Sequence, residues 1–456
     1  MGLRRSGFLA LVMSLVFVAA GCDWSMFAYG PAHTSFNPGE STIGVDDVAS
    51  LHEAWTASLG APGGGSVAPV TSARVVYATS DVFPFVLEAF DERRATGCSG
   101  TPNKCAPLWT ATLRGAARSL DVANGFVYVT TAAAQLLAFD AAGGAGCSGN
   151  PKTCNAIWSA SGLADGSAQP AITDSFVYAP VGQGVSAFDA AGVDGCSGMP
   201  KTCAPLWSVV GWSPAVANGV LSGARVAHTF EVRAYDAAGV TKCAGSPKTC
   251  APLWVGDTGI NPDVLPAVTA PTISNGVVWI GIDNGDELSN GGALVGFDAT
   301  GSRRCAGTPK ICTPTWRAAT DGVEYPPAVA KHVVYALQFF HSGEVQVTTR
   351  YTLSAFDFAA CHTTTATCSP LWTVHLAASP QGLAIANGLV YVSTFSERRI
   401  AAYDAAGVNG CSGSPRVCAP LWTTTLSGSP TSPVVANGVV YASTRDDNVL
   451  HAYKLP

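Results

Sequence analysis

The chain has 456 residues, of which 48% are hydrophobic and 12% charged, with 49 Gly, 29 Pro and 15 Cys. This composition excludes a disordered chain, a collagen, a coiled coil and a multi-pass membrane protein, and it favours strands and turns. A net charge of −6 leaves no basic surface of the kind that nucleic acids require, so we expect no nucleic acid partner.

The first 21 residues have the pattern of an export signal. Arg4 and Arg5 precede an apolar run over residues 8–20, which is too short to span a bilayer. Residues 18–22 then resemble a bacterial lipobox, in which cleavage before the cysteine is followed by its acylation. We therefore predict a lipoprotein signal peptide over residues 1–21 and lipidation of Cys22. An ordinary secretory signal is the alternative, and Arg4-Arg5 is a poor match to a twin-arginine export signal.

After an anchor and lead-in at residues 22–50, the sequence repeats. Each repeat begins with a short strand that contains a tryptophan: Trp55, Trp109, Trp158, Trp207, Trp254, Trp316, Trp372 and Trp422. Three more short strands follow, and the last ends in an aromatic residue and Asp: Phe90-Asp91, Phe139-Asp140, Phe188-Asp189, Tyr235-Asp236, Phe297-Asp298, Phe356-Asp357 and Tyr403-Asp404. Asn-Gly recurs in the turn before the third strand of a repeat, and it suits a tight type I′ turn between antiparallel strands.

Four short antiparallel strands per repeat indicate an all-β fold, a β-propeller. Eight tryptophan strands and eight sets of three strands predict an eight-bladed propeller of four-stranded antiparallel blades over residues 51–456. The first tryptophan strand, at residues 51–59, has no set before it, and the last set, ending at residues 451–453, has no tryptophan strand after it. We therefore expect the N-terminal strand to become the outer strand of the last blade, because this closes the ring and removes two open edges.

Fourteen cysteines form seven pairs with identical C-x6-C spacing: Cys98 and Cys105, Cys147 and Cys154, Cys196 and Cys203, Cys243 and Cys250, Cys305 and Cys312, Cys361 and Cys368, and Cys411 and Cys418. Zinc sites use shorter spacings and a second pair of ligands, so local disulfides in an exported protein are favoured. Facing residues on antiparallel strands have Cα atoms ~4.5–5.5 Å apart, which is within disulfide range. We predict seven disulfide-linked hairpins, with Cys22 left unpaired.

Two segments resemble the pyrroloquinoline-quinone-like, or quinoprotein-like, propeller family. Residues 23–38, which begin Asp23-Trp24, are similar to the opening of these proteins, and Phe297-Asp298-Ala299-Thr300-Gly301 is similar to their tryptophan-docking repeat. The resemblance implies that the tryptophan of one blade packs against the next blade. The family includes quinone-dependent alcohol dehydrogenases and the lipoprotein propeller of the bacterial β-barrel assembly machinery.

The chain also departs from that family. The resemblance implies a Trp eight residues after the repeat Asp, whereas Trp158 lies 18 residues after Asp140, and the extra residues carry the cysteine pair. The family's dehydrogenases have two adjacent cysteines beneath the quinone, and this sequence has no Cys-Cys dipeptide. We therefore assign no catalytic, cofactor-binding or metal-binding residue. Pyrroloquinoline quinone with calcium is the alternative to a chain without a cofactor.

The remaining polar motifs have structural interpretations. The repeat aspartates are expected to cap tight turns by accepting backbone N–H groups. Acidic residues cluster from Asp283 to Glu287, but they lack the spacing of a full calcium loop, so we favour a solvated loop over a calcium site. The eight His have no spacing typical of a metalloprotease or deaminase.

The loops that differ most between repeats are expected on one face of the propeller, at residues 81–85, 225–230, 283–292, 338–351 and 445–448. The Asn-Gly turns and the cysteine hairpins should lie on the other face. Because heterogeneous loops on a rigid scaffold commonly form recognition sites, we predict a binding face at the variable loops. Its candidate residues are Asp283, Asp286, Glu287, Phe339, Phe340, His341, Arg350, Arg445, Asp446 and Asp447.

The sequence thus predicts a monomeric, lipid-anchored binding or scaffold module outside the cytoplasm, at the bacterial cell membrane or cell surface. Its partner is expected to be a protein or another ligand of the cell envelope, and the lipid anchor is its only expected contact with the membrane. A quinone-dependent oxidoreductase is one alternative function. A hydrolase or lyase that uses the axial cavity is another.

Overall fold

A computed structural model of the protein describes residues 22–60, 67–100, 103–164, 169–224, 231–259, 267–283, 291–323, 325–342, 348–360 and 368–456. Within these ranges the chain forms short β-strands and one 3₁₀ helix, Val48–Ser50. The strands group into eight sheets of an all-β propeller, numbered here along the chain from the sheet that contains Val75–Ser80 to the sheet that contains Val439–Thr444.

From the axis outward, sheet 1 contains Val70–Ser72, Val75–Ser80, Val86–Asp91, Trp109–Thr112, Thr153–Cys154 and Cys147–Ser148. Sheet 2 contains Ala117–Ala123, Phe126–Thr131, Gln135–Asp140, Trp158–Ser161, Lys201–Cys203 and Cys196–Ser197. Sheet 3 contains Ala171–Ile172, Phe176–Val181, Gly184–Asp189, Trp207–Val210, Thr249–Cys250 and Cys243–Ala244. Sheet 4 contains Trp212–Ala217, Val220–Ala224, Val232–Asp236, Trp254–Gly256, Ile311–Cys312 and Cys305–Ala306.

Sheet 5 contains Ala267–Val268 and Thr272–Ser274, then Val277–Asp283, Gly292–Asp298 and Trp316–Thr320. Sheet 6 contains Gly322–Val323 and Ala328–Ala330, then Val333–Ser342, Thr348–Asp357, Trp372–Leu376, Val417–Cys418 and Cys411–Ser412. Sheet 7 contains Phe36–Asn37, Pro380–Ala386, Leu389–Thr394, Arg399–Asp404 and Trp422–Thr425. Sheet 8 contains Val434–Ala436, Val439–Thr444, Val449–Lys454, His52–Ser58, Asn103–Cys105 and Cys98–Ser99.

The predicted all-β propeller is confirmed, but its predicted division into eight four-stranded antiparallel blades is wrong. The described sheets contain five to seven strands: cysteine hairpins add strands at the perimeter of six sheets, Phe36–Asn37 adds one to sheet 7, and sheets 5 and 6 each have two short strands at the inner edge. Each such hairpin joins the sheet that precedes its own repeat, and it joins in parallel, as Asn103–Cys105 does beside His52–Ser58. The core is also not divided into eight units. The buried hydrophobic side chains described form seven clusters, because a single cluster spans sheets 7, 8 and 1, where the two ends of the chain meet.

The predicted closure of the ring is confirmed. The strand His52–Ser58 pairs in antiparallel fashion with Val449–Lys454, from His52 opposite Lys454 to Ser58 opposite Val449. The N-terminal strand therefore completes the sheet that the C-terminus begins, and neither strand is left with an open edge there.

Aromatic side chains of one sheet contact the turn after the repeat Asp of the next sheet. Between sheets 3 and 4, Tyr178 donates a hydrogen bond of 2.7 Å to the carbonyl of Ala237. In the same turn Gly239 has φ +64°, and a Cβ there would lie 2.3 Å from Trp207 Nε1. The same contact recurs between four other pairs: Gly143 and Trp109, Gly192 and Trp158, Gly301 and Trp254, and Gly407 and Trp372. The turn after the repeat Asp thus needs glycine both for its backbone conformation and for the close approach of the indole.

Six of the predicted disulfides are confirmed among the described residues, with Cα atoms 3.9–4.0 Å apart: Cys98–Cys105, Cys147–Cys154, Cys196–Cys203, Cys243–Cys250, Cys305–Cys312 and Cys411–Cys418. Cys368 is also disulfide-bonded, while Cys361 lies outside the described residues. Because each hairpin pairs with the preceding sheet, the hairpin that a disulfide closes connects two sheets. We call these disulfide-linked hairpins the perimeter straps.

The predicted signal peptide, residues 1–21, lies outside the described residues. Cys22 is the free cysteine of the described chain, and its half-buried thiol donates to the carbonyl of Gly39 at 2.8 Å. None of the helical segments described has the length and apolar character needed to cross a bilayer.

Candidate functional site

The two ends of the ring carry different connections. One end, called the turn face here, carries the turns between the first and second strands of each sheet, such as Asn218-Gly219, and the turns after the repeat aspartates. The other end, called the loop face, carries the loops between the second and third strands and the beginnings of the innermost strands. The variable loops of the predicted binding face lie on the loop face.

Side chains on the turn face bind neighbouring repeats. Asn124 Nδ2 donates to the carbonyl of Thr173 at 3.0 Å, and Asn275 Nδ2 donates to that of Lys331 at 2.7 Å. The repeat aspartates accept backbone N–H groups of their own turns, as predicted: Asp91, Asp140, Asp189, Asp236, Asp298, Asp357 and Asp404. Partial burial raises the pKa of such a carboxyl, but these hydrogen bonds outweigh burial and hold the pKa of Asp189 and Asp236 below its ordinary value.

Residues 22–40 run around the axis, inside the ring of innermost strands. Six carbonyl groups of this segment accept hydrogen bonds of 2.6–2.9 Å from backbone N–H groups of six different sheets: Trp24 from Thr71, Ser25 from Val122, Pro31 from Val216, Ala32 from Ile273, Thr34 from Val329, and Ser35 from Ile385. The segment predicted as a lead-in therefore occupies the axis and satisfies N–H groups that point into it.

Two buried titratable groups belong to this axial packing. His33 is 1% exposed, and burial lowers its pKa to about 4, although the carbonyls of Pro170 and Pro271 oppose the shift. Asp121 is fully buried and accepts the N–H of Phe27 at 3.0 Å. Burial raises the pKa of Asp121 to about 7, despite that hydrogen bond. At neutral pH His33 is therefore uncharged, and Asp121 is close to half protonated.

On the loop face, the N-terminal segment forms the floor of an axial cavity of about 420 Å³. The floor consists of Trp24, Met26, Phe27 and Ala28. The walls come from sheets 1, 2, 3, 7 and 8: residues 67–70, Asp81, Ala117, Arg118, Leu120, Gln169, Gln381, residues 431–434 and Arg445. A concave space of this size, with an apolar floor and a few polar groups, is typical of a small-molecule or side-chain binding site.

Three charged side chains line the axial cavity. Asp81 follows the second strand of sheet 1, Arg445 follows the second strand of sheet 8, and Arg118 lies at the start of sheet 2. None of the ion pairs within the described residues joins them. Asp81 Oδ1 and Arg445 Nε are buried without a hydrogen-bond partner among the described residues. Burial raises the pKa of Asp81 to about 6, and the Ala117 N–H and the two guanidinium groups oppose this shift.

A second pocket, of about 270 Å³, lies on the loop face between sheets 5 and 6. Asp283, Phe339 and Tyr351 line it, and Phe339 faces Tyr351 across a strand pair. A Cβ on Gly322 would lie 2.7 Å from the Phe339 ring and 3.1 Å from Asp283 Oδ1, so the absence of a side chain leaves room for both. The structure therefore brings together two predicted binding residues, Asp283 and Phe339.

The other predicted binding residues are dispersed. Phe340 lies opposite the exposed Arg350 in the long hairpin of sheet 6. Arg445 lines the axial cavity, far along the chain from that hairpin. Asp286 and Glu287 lie outside the described residues, as does the side chain of His341.

Asp446 and Asp447 hold their own loop together. Asp446 Oδ2 accepts the N–H of Ser429 at 2.9 Å and lies 3.5 Å from Arg398 Nη2. Asp447 accepts a hydrogen bond from the Thr444 hydroxyl. Both carboxylates are thus engaged within the protein, and of this loop's predicted residues only Arg445 lines the cavity.

Sequence reasoning missed Arg118, and it named residues 81–85 as a loop without singling out Asp81. A comparison of the repeats holds a signal for Arg118. It lies two residues before the position that is proline in most repeats, where other repeats have Val67, Gln381 or Thr431. Arg118 is charged, unlike the residues at the same position of these other repeats, and this position lines the wall of the cavity. No comparable signal singles out Asp81, since its loop differs in every repeat.

The described residues do not fit a calcium-bound quinone. Calcium takes about six to eight oxygen ligands, with carboxylates prominent among them, whereas the lining of the cavity has one carboxylate, that of Asp81, beside two guanidinium groups, and its other side-chain oxygens are the neutral ones of Gln169, Gln381, Thr431 and Ser432. Elsewhere in the described chain, no group of three or more His, Cys, Asp and Glu side chains is placed to hold a metal ion. We therefore assign no quinone or calcium site to these residues.

Comparison with known proteins settles the family. The sequence profile described as "Outer membrane protein assembly factor BamB" matches residues 200–455, which is more than half of the chain. The chain belongs to this BamB-like family. No curated protein matches it. The resemblance to quinoprotein-like propellers that the sequence predicted is thereby confirmed.

Solved structures show the same fold as this BamB-like chain. BamB from Moraxella catarrhalis is 14% identical, with a TM-score of 0.57 over 89% of this chain and 99% of that one. The quinohemoprotein alcohol dehydrogenase ADHIIG from Pseudomonas putida HK5 is 14% identical, with a TM-score of 0.61 over 95% of this chain and 80% of that one. The corresponding enzyme from Comamonas testosteroni is 13% identical, with a TM-score of 0.60 and the same coverage. At these identities the likeness concerns the fold alone.

Proposed function

We propose that the protein is an extracytoplasmic binding module of the bacterial envelope, which binds a protein partner through its loop face. The axial cavity is the observation that supports this most strongly. Its buried Asp81 Oδ1 and Arg445 Nε have no partners among the described residues, and a ligand that satisfies such groups gains free energy on binding. The description of the matching family, an outer membrane protein assembly factor, supports an envelope protein as the partner.

The proposal includes a lipid anchor at Cys22. The neighbouring Asp23 accepts hydrogen bonds from the N–H of Ala73 and from Asn437 Nδ2, and both donors belong to turns between first and second strands. Cys22 therefore lies on the turn face. An acyl chain at this position would hold the turn face towards the membrane and direct the loop face away from it, where a partner can reach the cavity.

Fatty acid labelling tests the anchor. The wild-type chain is expected to incorporate labelled palmitate in cells, and Cys22→Ser is expected to abolish incorporation. The matched control is Cys196→Ser with Cys203→Ser, which removes two cysteines from a perimeter hairpin and should leave labelling intact. Incorporation by Cys22→Ser would contradict the proposed anchor.

Site-specific photocrosslinking in native membranes tests the binding face. Three highly exposed residues report on three surfaces: Phe83 on the loop face, Val193 on the turn face, and Met199 on a perimeter hairpin, which are 80%, 63% and 99% exposed. A photoreactive residue at Phe83 is expected to give a discrete adduct with an envelope protein, and the other two positions are not. Adducts formed only from Val193 or Met199 would place the partner elsewhere and contradict the proposal.

A quinone-dependent oxidoreductase is the second candidate, because the fold is shared with two quinohemoprotein alcohol dehydrogenases. The side chains that line the axial cavity do not favour it, because one carboxylate beside two guanidinium groups does not suit the calcium ion of such a cofactor. Purified protein mixed with pyrroloquinoline quinone and calcium should retain no chromophore after gel filtration and reduce no dye in the presence of alcohols. Stoichiometric quinone binding with dye reduction would make the oxidoreductase the better account.

A further inference from the structure

The charged side chains that line the axial cavity indicate which charge its ligand carries. Two guanidinium groups, of Arg118 and Arg445, oppose the one carboxylate of Asp81, so the charged groups sum to a net positive charge. None of these groups is joined to another in an ion pair among the described residues. The carboxylate of Asp446 also attracts Arg445 from outside the lining, but it lies 3.5 Å from Arg398, so the lining itself keeps a net positive charge.

The polar atoms of the cavity are also incompletely hydrogen-bonded. Arg445 Nε is buried and has no hydrogen-bond partner among the described residues, while the backbone N–H of Arg445 donates to the carbonyl of Ser429 at 2.9 Å. The backbone is thus fixed while part of the guanidinium group lacks an acceptor. A guanidinium group presents its donors in a planar fork, which matches the two oxygens of a carboxylate. Asp81 Oδ1, in the same cavity, is an acceptor for which the described part of the chain provides no donor.

The floor of the cavity is apolar. Trp24, Met26 and Phe27 form it, and Val70, Leu120 and Val434 continue the apolar surface up the walls. A small inorganic anion would leave this surface in contact with water, whereas an organic anion covers it. The cavity therefore fits a ligand with a charged end and an apolar body.

We infer that the axial cavity binds an organic carboxylate. The carboxylate pairs with Arg118 and Arg445, an N–H or O–H donor of the ligand satisfies Asp81, and the apolar body of the ligand lies on the floor. The carboxylate can come from a small organic acid or from a peptide, as its C-terminus or an acidic side chain. This inference concerns the isolated cavity and does not depend on the proposed protein partner.

Calorimetric titration of the purified full chain tests the inference with defined probes. The first pair is 3-phenylpropionate and its amide, which have the same apolar body; only the acid is charged, and only the amide has an N–H donor for Asp81, so the pair tests whether the carboxylate contributes more than that donor. We expect the acid to bind at least tenfold more tightly than the amide. Two peptides distinguish the sources: Ala-Ala-Phe with a free C-terminus, and acetyl-Ala-Glu-Phe amide, whose carboxylate is a side chain. Tighter binding of Ala-Ala-Phe would identify a peptide C-terminus as the ligand, and tighter binding of acetyl-Ala-Glu-Phe amide would identify an acidic side chain. Binding of 3-phenylpropionate without binding of either peptide would identify a small organic acid.

Substitutions in the cavity have expected effects of opposite sign. Arg118→Gln and Arg445→Gln should each weaken 3-phenylpropionate binding about tenfold. Asp81→Asn should strengthen it about threefold, because a negative charge near the ligand is lost. Arg350→Gln is the matched control: it removes an exposed positive charge from the same face, outside the cavity, and should leave binding unchanged. Thermal melts of each variant establish that it is folded.

Several outcomes would overturn the inference. Equal binding of the acid and the amide would do so, as would undiminished binding by folded Arg118→Gln and Arg445→Gln, or a failure of every carboxylate probe to bind. These outcomes are independent of the crosslinking result at Phe83. A partner captured there by a chain that binds no carboxylate would preserve the proposed function and reject this inference.

Discussion

The turn face and the loop face are built from the same repeat, but their buried charged side chains differ in whether every polar atom has a partner among the described residues. On the turn face, Asn437 Nδ2 is held by Asp23 at 2.8 Å and by Glu92 at 3.0 Å, and Glu40 accepts the N–H of Gly438. On the loop face, Asp81 and Arg445 have buried polar atoms that no described residue satisfies. A repeat protein can thus complete one end of its ring internally and leave the other available for a ligand.

The difference arises from the N-terminal segment. It starts on the turn face, runs around the axis and returns to the turn face at Glu40, so it provides partners to that end and to the middle of the innermost strands. At the loop face it provides only a floor. Substitutions in the segment, in the contacts between sheets, at the buried axial groups and in the cysteine hairpins of the perimeter should therefore change stability, and we expect the largest change from the segment and the smallest from the hairpins.

The largest expected effect comes from the N-terminal segment. Trp24 is 2% exposed and belongs to the cluster that joins sheets 7, 8 and 1. Trp24→Ala should lower the free energy of unfolding by about 3–5 kcal/mol, as truncation of a buried aromatic residue does. Phe83→Ala, at an exposed aromatic residue on the loop face, should change it by less than about 0.5 kcal/mol. Urea unfolding measures both, and equal values would show that the segment is not part of the core.

The contact between sheets is tested by a pair of glycines. Gly239 and Gly219 both have positive φ, but only at Gly239 would a Cβ meet the indole of Trp207. Gly219→Ala should cost about 1–2 kcal/mol for its left-handed backbone alone. Gly239→Ala should cost about 1–3 kcal/mol more, because the indole must also move. If denaturant unfolding gave the two variants equal stability, the packing of tryptophan against this turn would contribute little.

The buried carboxyl of Asp121 should make stability depend on pH. Its pKa is raised to about 7 in the folded chain, against about 3.9 when unfolded, so the folded state binds more protons between these values. This group therefore stabilises the fold below about pH 4, and its contribution is lost as the pH rises to about 7. Asp121→Asn, which still accepts the Phe27 N–H, should raise stability at pH 8 by about 2 kcal/mol and change little at pH 4. The same gain at both pH values would contradict the assignment.

His33 provides the opposite pH dependence. Its pKa is lowered to about 4 in the folded chain, so the unfolded chain binds a proton first as the pH falls below about 6.5. Its contribution is therefore complete above about pH 6.5 and is lost as the pH falls to about 4. His33→Gln should flatten the acid side of the stability profile, measured as melting temperature against pH. A steeper acid side in the variant would contradict this role.

The smallest expected effect is the loss of one disulfide. Replacing Cys196 and Cys203 by Ala should cost about 2 kcal/mol or less, because the closed loop is short. The ring should stay intact, since Lys201–Cys203 remains paired in parallel with Trp158–Ser161. Thermal unfolding under non-reducing conditions measures the change. Loss of the cooperative transition would show instead that the straps hold the ring together.

Much of the fold could be predicted because its determinants are local and repeated. The spacing of the tryptophans, the Asp turns such as Asp236 to Gly239, and the cysteine pairs each report on a few neighbouring residues. The closure by His52–Ser58 followed from counting strands at the two ends. The pairing of a hairpin with the preceding sheet could not be predicted, because the parallel contact of Asn103–Cys105 with His52–Ser58 joins residues from different repeats and leaves no periodic signal.

The site was predicted less completely than the fold, for the same physical reason. Long or charged loops drew attention to Asp283, Phe339 and Arg445, of which the structure places two in one pocket and the third in the axial cavity. Asp446 and Asp447 were conspicuous in sequence, but they bind their own loop. The cavity depends on the course of the N-terminal segment around the axis, and hydrogen bonds such as that from Ile385 to Ser35 span 350 residues of sequence.

Hydrogen exchange on the full chain, with and without the crosslinked partner once it is identified, shows which face of the ring the partner covers. We expect the partner to slow exchange at residues 81–85 and 445–448 on the loop face, and to leave residues 189–194 and 404–409 on the turn face unchanged. Slowed exchange confined to the turn-face residues would contradict the claim that the loop face is the binding face.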